Sequence, residues 1–364
     1  MEPFYGPRFG NPSSVHRWGR EARAALDEAR ERVARCIGAQ PDEVCFTSGG
    51  TEVDNLAIFG PLRSMRAKGR SVLVTTPIEH KAVLETVHYA ARDGLTERML
   101  RVLPNGVIDA ASADDVVDDS VAVCTVMWVN NEIGTIQPVP EIAKRVKARG
   151  GIMHTDAVQA FGKLTIDVRQ VDVDLLTISG HKIGAPKGIG AMFIRRGTQI
   201  DSMFHGGSQD RGRRPGTENV AAAVGLACAA ELAVAEHETE GARLEALRDA
   251  LEQGLVARIP DAVVHGRGAP RAPHILNLSV PGTDSESLLM ALDLAGVAAS
   301  SGSACQSGSV TPSHVLRAMG VRPDLAVAAV RMSLGSLSTQ DCVTRVVELF
   351  PALIAKARRL SGAA

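Results

Sequence analysis

Short apolar runs alternate with amphipathic segments along this chain, and that alternation belongs to α/β proteins. Strands are predicted at 43–47, Val72–Thr75, Val121–Val129, Ile152–Thr155, Leu175–Ser179 and Ala191–Ile194. Between them, Glu21–Ile37 and Thr51–Met65 have helical apolar spacing, and His80 opens a further helix. Strands that are apolar at successive positions suit a mainly parallel sheet covered on both faces. The Ala-rich stretch Asn219–Ala257 reads as one or two helices leading into a second unit. There His274–Val280, Glu286–Leu294 and Val330–Leu334 restart the pattern, and Asp341–Leu360 closes it as a helix. At 364 residues, two domains are expected: a large one over 1–236 and a smaller α+β C-terminal one over 237–364.

Charge and cysteine usage narrow the function classes. Lys and Arg number 40 against 41 Asp and Glu, and aromatics are 3%, so neither a phosphate-neutralising surface nor base-stacking platforms are indicated. Direct binding of nucleic acid is not expected. The longest apolar runs, Val121–Val129 and Val220–Ala230, fall short of the roughly 20 residues that span a bilayer, so no membrane segment is expected. Residues 1–6 lack the basic and apolar regions of a secretory signal, which points to the cytoplasm. The six cysteines show no Cys-x-x-Cys pair and no metal-ligand spacing, so free thiols are expected and no metal site.

Three sequence features carry chemistry. Ser48-Gly49-Gly50-Thr51-Glu52 lies between a strand and a helix, where small residues and unpaired N–H groups accommodate one phosphate; the plain alternative is a helix cap with flexible glycines. Ser179-Gly180-His181-Lys182 ends an apolar strand, and a lysine desolvated there is a candidate Schiff-base nucleophile; otherwise it is a surface lysine. Asp156, at the end of another strand with Gln159 nearby, can pair with a pyridinium N–H or merely cap a turn. His80 could stack on a planar ring or be structural. A phosphate cradle, a Schiff-base lysine and a carboxylate for a ring nitrogen together describe pyridoxal 5'-phosphate. Separately, Cys305 lies in Ala299–Ser313, rich in glycine and serine, and reads as the thiol of an exposed loop; the other five cysteines, in apolar contexts, read as core.

The motifs Phe9–His16, Thr47–Glu52, Glu79–Val83, Val129–Gly134, Ser179–Lys182 and Ser300–Cys305 match, in order and over nearly the whole chain, those of the NifS/IscS-type cysteine desulfurases. The chain therefore resembles the class V, fold type I pyridoxal-phosphate enzymes. The resemblance implies that Lys182 carries the cofactor, that Gly50, Thr51, Ser179 and His181 hold its phosphate, and that His80 stacks on its ring. Asp156 then pairs with the ring nitrogen, and Gln159 and Asn131 lie near the ring oxygen and the substrate. Thr217 would reach the phosphate of a neighbouring subunit in a homodimer, and Arg331 would bind the substrate carboxylate.

The activity so implied is conversion of L-cysteine to L-alanine, with Cys305 taking the sulfur as a persulfide. An acceptor protein then receives it for iron-sulfur cluster assembly or for thiolation of a cofactor or tRNA. The segment around Cys305 has the long form of the NifS/IscS group. The family's Ala-Thr-Thr-Pro segment, upstream of Gly10-Asn11-Pro12, and its longer tail are not in this sequence. Selenocysteine lyases and class V aminotransferases share the cofactor residues and stay open as alternatives, as does a cofactor-binding assembly partner without turnover.

Overall fold

A computed structural model of the chain describes residues 1–301 and 312–360. It divides into two compact units. The first holds Met1–Leu100, Ala110–Trp128 and Pro138–His237; the second holds Arg101–Asp109, Val129–Gln137 and the chain from Glu238 on. A split into two continuous stretches, 1–236 and 237–364, misplaces 101–109 and 129–137. Backbone pairing carries 129–137 into the second unit: Thr135 bridges Arg271, and Ile136 N–H donates to the Pro270 carbonyl at 2.8 Å. The Gly106 carbonyl in turn accepts from Thr135 Oγ1 at 2.9 Å and Gln137 Nε2 at 3.0 Å, which ties 101–109 to it.

The first unit is built on seven strands: β1 (Val44–Thr47), β2 (Val72–Thr75), β3 (Thr96–Met99), β4 (Val121–Thr125), β5 (Ile152–Asp156), β6 (Leu175–Ser179) and β7 (Gly190–Ile194), in the order β1-β7-β6-β5-β4-β2-β3. From β3 across to β6 the neighbours are parallel, and β7 is antiparallel to both β6 and β1. All but β3 and the first residue of β5 are buried, as a sheet sandwiched between helices requires. The edge strand β3, Thr96-Glu97-Arg98-Met99, is polar and partly exposed, which suits an edge and leaves no apolar run to read. By these directions β1, β2, β4, β5 and β6 all end at the same edge of the sheet, where an open α/β sheet binds its ligands.

Two predicted elements change on folding. The helix read over Thr51–Met65 is two, Gly50–Phe59 and Leu62–Arg66, parted at Gly60-Pro61, where proline has no N–H to continue the ladder. The strand read over Val121–Val129 ends at Thr125, although Val126 and Trp128 N–H groups still donate to His154 and Asp156 carbonyls at 3.1 and 2.9 Å.

The second unit contains an antiparallel sheet ordered β10-β9-β8, from β8 (Val263–Val264), β9 (Ile275–Ser279) and β10 (Ala329–Ser333). Leu247, Leu251, Leu276, Leu278, Val330 and Phe350 form its core. Asn219–Ala257 proves to be one helix, Val220–Arg258. It is longer than the run Val220–Ala230 suggests, and one 18-residue window reaches mean hydropathy 1.5, enough by length and composition alone to cross a bilayer. Its apolar residues are used in packing: Ala221, Ala222, Leu226, Ala227 and Ala230 are buried near its start, and Leu247, Leu251 and Leu255 lie in the second core.

Candidate active site

The sheet edge of the first unit gathers most of the singled-out residues. After β1, Gly49 takes φ +151°, a conformation that favours glycine, and the helix Gly50–Phe59 starts with no side chain capping it. A Cβ on Gly50 would stand 3.2 Å from Val158 Cγ2 and 3.5 Å from Ser179 Cβ, so the glycine keeps this corner open. Thr51 is exposed at the same helix start. After β6, Ser179 Oγ lies 3.0 Å from His181 Nδ1, and Lys182 follows, exposed, on the short helix Gly180–Ile183. Burial, then the charges of Lys182 and Lys187, pull His181 below the ordinary histidine value, which keeps it neutral. An uncapped helix N-terminus beside a hydroxyl, an imidazole and an ammonium suits a phosphate monoester.

The other end of the site is acidic and buried. Asp156 closes β5 at 5% exposure, and its Oδ1 accepts the Val158 N–H at 2.8 Å. Burial pushes its carboxyl up to about 6, while that N–H and the Lys182 charge pull it down. Such a carboxyl, at the same edge of the sheet as the turn that carries Lys182, suits a cationic ring nitrogen. His80 caps the helix Lys81–Arg92, its Nδ1 accepting the Ala82 N–H at 3.1 Å, so its neutral form carries the proton on Nε2. Its exposed ring therefore serves as a cap, the structural role its position allowed. Gln159 is half-buried in the turn after β5.

Sequence reasoning missed Glu79, fully buried just before His80. Its Oε1 accepts the Thr76 hydroxyl at 2.7 Å and the Met127 N–H at 2.9 Å, and burial pushes it up to about 8. The signal was an acidic residue among buried neighbours, Ile78 and Val83. Glu79 and Asp156 bind protons in the folded protein that the unfolded chain releases above roughly pH 4. Their contribution to stability is therefore lost as pH rises from about 4 to 8. The urea midpoint of the ligand-free protein should fall between pH 6 and 8.5, and Glu79→Gln should flatten that slope; an unchanged slope in the variant would contradict the assignment.

Thr217 is exposed at the end of a segment tied down twice. Asp210 is buried and accepts from Arg30 Nη1 at 2.9 Å and from the Phe46 N–H at 3.1 Å, holding Asp210 and Arg211 in left-handed backbone (φ 47° and 59°). Further along, Arg214 pairs with Glu52 at 3.0 Å.

In the second unit, Arg331 on β10 donates from Nη1 to the Asn131 carbonyl at 2.7 Å, bringing these two residues together. Among the described residues, the buried Arg331 Nε and Asn131 Oδ1 have no hydrogen-bond partner, which suits a bound carboxylate and ammonium group. Burial lowers the Arg331 guanidinium, opposed by Glu132, a support the sequence did not reveal. Ser300 pairs by backbone with Arg331, and Ser313 Oγ donates to Glu132. Both flanks of 302–311 are thus anchored on this cluster, while Cys305 itself lies outside the described residues. Of the five cysteines read as core, only Cys45 and Cys124 are buried; Cys36 is half-buried, and Cys228 and Cys342 are exposed. The helical period explains Cys228: Leu226, Ala227 and Ala230 form the buried face, and Cys228 turns from it.

Comparison with known proteins places these features in context. The family model for class V aminotransferases matches residues 1–346. The chain is 42% identical to the cysteine desulfurase IscS of Dictyoglomus turgidum, covering 99% of this chain and 91% of that protein. It is 43% identical to the cysteine desulfurase NifS of Azotobacter vinelandii, covering 99% and 90%. Among solved structures, a NifS-like protein superposes with TM-score 0.91 at 35% identity, covering 98% of this chain and 94% of the other.

Proposed function

Because this chain belongs to the class V aminotransferase family, we propose that it is a pyridoxal-phosphate-dependent cysteine desulfurase, releasing L-alanine from L-cysteine and holding the sulfur as a persulfide on Cys305. What supports this most is the gathering, at one sheet edge, of an uncapped helix start at Gly50, the Ser179–His181 pair, Lys182 and the buried carboxyl of Asp156. These residues fit a ring that carries a phosphate at one end and a protonated nitrogen at the other.

Gly50, Thr51, Ser179 and His181 would hold the phosphate, Asp156 the ring nitrogen, His80 the ring face and Gln159 the ring oxygen. When bound, the cofactor supplies an electron sink for the carbanion left at the substrate Cα. Arg331 would clamp the substrate carboxylate with its forked donors, beside Asn131. Lys182 Nζ would take the Cα proton. The Cys305 thiolate would then attack the substrate sulfur: an S–S bond forms, the substrate C–S bond breaks with its electron pair passing to carbon, and protonation of that carbon yields alanine. The sulfur passes on to an acceptor protein serving iron-sulfur cluster assembly or thiolation. A reducing, cytoplasmic setting is part of this reading, as the cysteine spacing suggests. The loaded protein incubated with L-cysteine and a thiol reductant should release alanine and sulfide in equal amounts; cofactor uptake without alanine would overturn the reading.

Assembly follows from Thr217. Exposed, yet presented by a segment anchored at Asp210 and Arg214, it would reach the phosphate of a second copy, which makes the active unit a homodimer with composite sites. Thr217→Ala should weaken cofactor retention about tenfold with the dimer intact. Full activity in a monomer by sedimentation would refute this.

A further inference from the structure

A buried chain of hydrogen bonds adjoins Asp156. His154 and Asp156 are two residues apart on β5, so they share a face of the sheet, and Thr177 on β6 is in register with Asp156. The helix Gly50–Phe59 packs against β5 and β6 and brings Asp54 to this face, one turn below the helix start. Thr177 Oγ1 lies 2.8 Å from Asp54 Oδ1 and 2.9 Å from His154 Nε2, and His154 Nδ1 lies 2.7 Å from Thr125 Oγ1. All four residues are buried.

The chain can run in either direction, because each hydroxyl has one proton to give and a neutral imidazole has one. With Asp54 ionised, Thr177 donates to it, His154 Nε2–H donates to Thr177, and the Thr125 hydroxyl donates to Nδ1. With Asp54 protonated at Oδ1, the carboxyl donates to Thr177, Thr177 donates to Nε2, and Nδ1–H donates to Thr125. The Nδ1–H tautomer of His154 therefore marks a proton on Asp54 Oδ1.

Buried carboxyls close enough to act on one another do not both ionise readily. Asp156 has the Lys182 charge and the Val158 N–H in its favour. The titratable groups acting on Asp54 are Asp156, Glu79 and the nearby His154, and none of them is a cation: burial drives His154 down to about 3. We propose that Asp54 is a positioning residue that holds the proton of the Asp54–Asp156 pair, anchored through Thr177, His154 and Thr125, and thereby leaves Asp156 as the carboxylate available to a pyridinium nitrogen. This rests on the reading of Asp156 given above. Burial and the Asp156 charge both push Asp54 well above the carboxylate range, in agreement.

The test is ¹⁵N NMR of histidine-labelled protein, with and without pyridoxal phosphate, near pH 7.5. His154 should be the Nδ1–H tautomer in both. Asp54→Asn, which can donate an amide N–H to Thr177 but cannot ionise, should keep that tautomer, hold the cofactor within about threefold of the parental affinity, and leave the pH midpoint of its visible absorption in place. An Nε2–H tautomer in the parent, which leaves no proton on Asp54 Oδ1 to anchor the chain, or a midpoint displaced by a pH unit or more in Asp54→Asn, would overturn the proposal. Failure to take up pyridoxal phosphate would instead remove the role given to Asp156, and the tautomer of the cofactor-free protein still decides where the proton sits.

Discussion

Replacing Lys182 by alanine should cut alanine release about a thousandfold or more and abolish the reducible bond between protein and cofactor, the combined loss of a nucleophile and a proton acceptor. The turn that presents this lysine is built for it. A Cβ on Gly180 would come within 3.0 Å of the Ile189 carbonyl, and Gly184, at φ +82°, closes the short helix with no side chain to obstruct it. Lys182 is therefore delivered at the end of β6 with Ser179 and His181 beside it. Because the side chain is exposed and outside the core, the variant should fold with an unchanged urea midpoint. Borohydride reduction of the parent, followed by peptide mapping, should place the pyridoxyl label on Lys182. A label on Lys81, Lys163 or Lys187 would sink the assignment.

How much of this was legible beforehand follows from where the information resides. The strands β2, β4, β6 and β7 announce themselves because every residue in them is apolar or small enough to bury, and their ends carry the motif residues. β3 is silent because an edge strand needs no apolar face. The Gly50, Asp156, Ser179 and Lys182 set could be read because each falls at the end of a strand or in the turn that follows it. Asp54 could not. In sequence it is one acidic residue in a helix, and only the packing of Val53, Leu56 and Ala57 shows that its side of the helix is buried. His154 and Thr177 likewise look like polar residues in strands until register sets Thr177 beside Asp156 and the helix supplies Asp54. Segment 129–137 belongs with the second unit through long-range backbone pairing, and 101–109 through hydrogen bonds from the Thr135 and Gln137 side chains to the Gly106 carbonyl, neither of which local patterning encodes.

The thiol chemistry gives the second large effect, and the structure changes which control matters. Burial raises Cys45 and Cys124 far above the ordinary thiol value and pushes Cys36 up to about 11, so none of these three supplies thiolate near neutral pH. Cys342 is different: it is exposed at the start of the helix Gln340–Leu360, and the Thr339 hydroxyl, 3.3 Å from its sulfur, lowers it. It is the thiol best able to mimic a catalytic one. Cys305→Ala should keep the cofactor's colour and cysteine binding, since the phosphate, ring and carboxylate contacts are assigned to other residues. Persulfide should vanish, and alanine release should fall about a hundredfold or more through kcat, the scale for a lost nucleophile rather than a lost binding contact. Cys342→Ala should leave turnover within about twofold, while Cys45→Ala and Cys124→Ala should cost about 1–2 kcal/mol of stability and little activity. If trapped persulfide maps to Cys342, the sulfur passes through that thiol and not Cys305; if Cys305→Ala releases alanine at the parental rate with no persulfide on any cysteine, a lyase chemistry on the same cofactor residues takes its place.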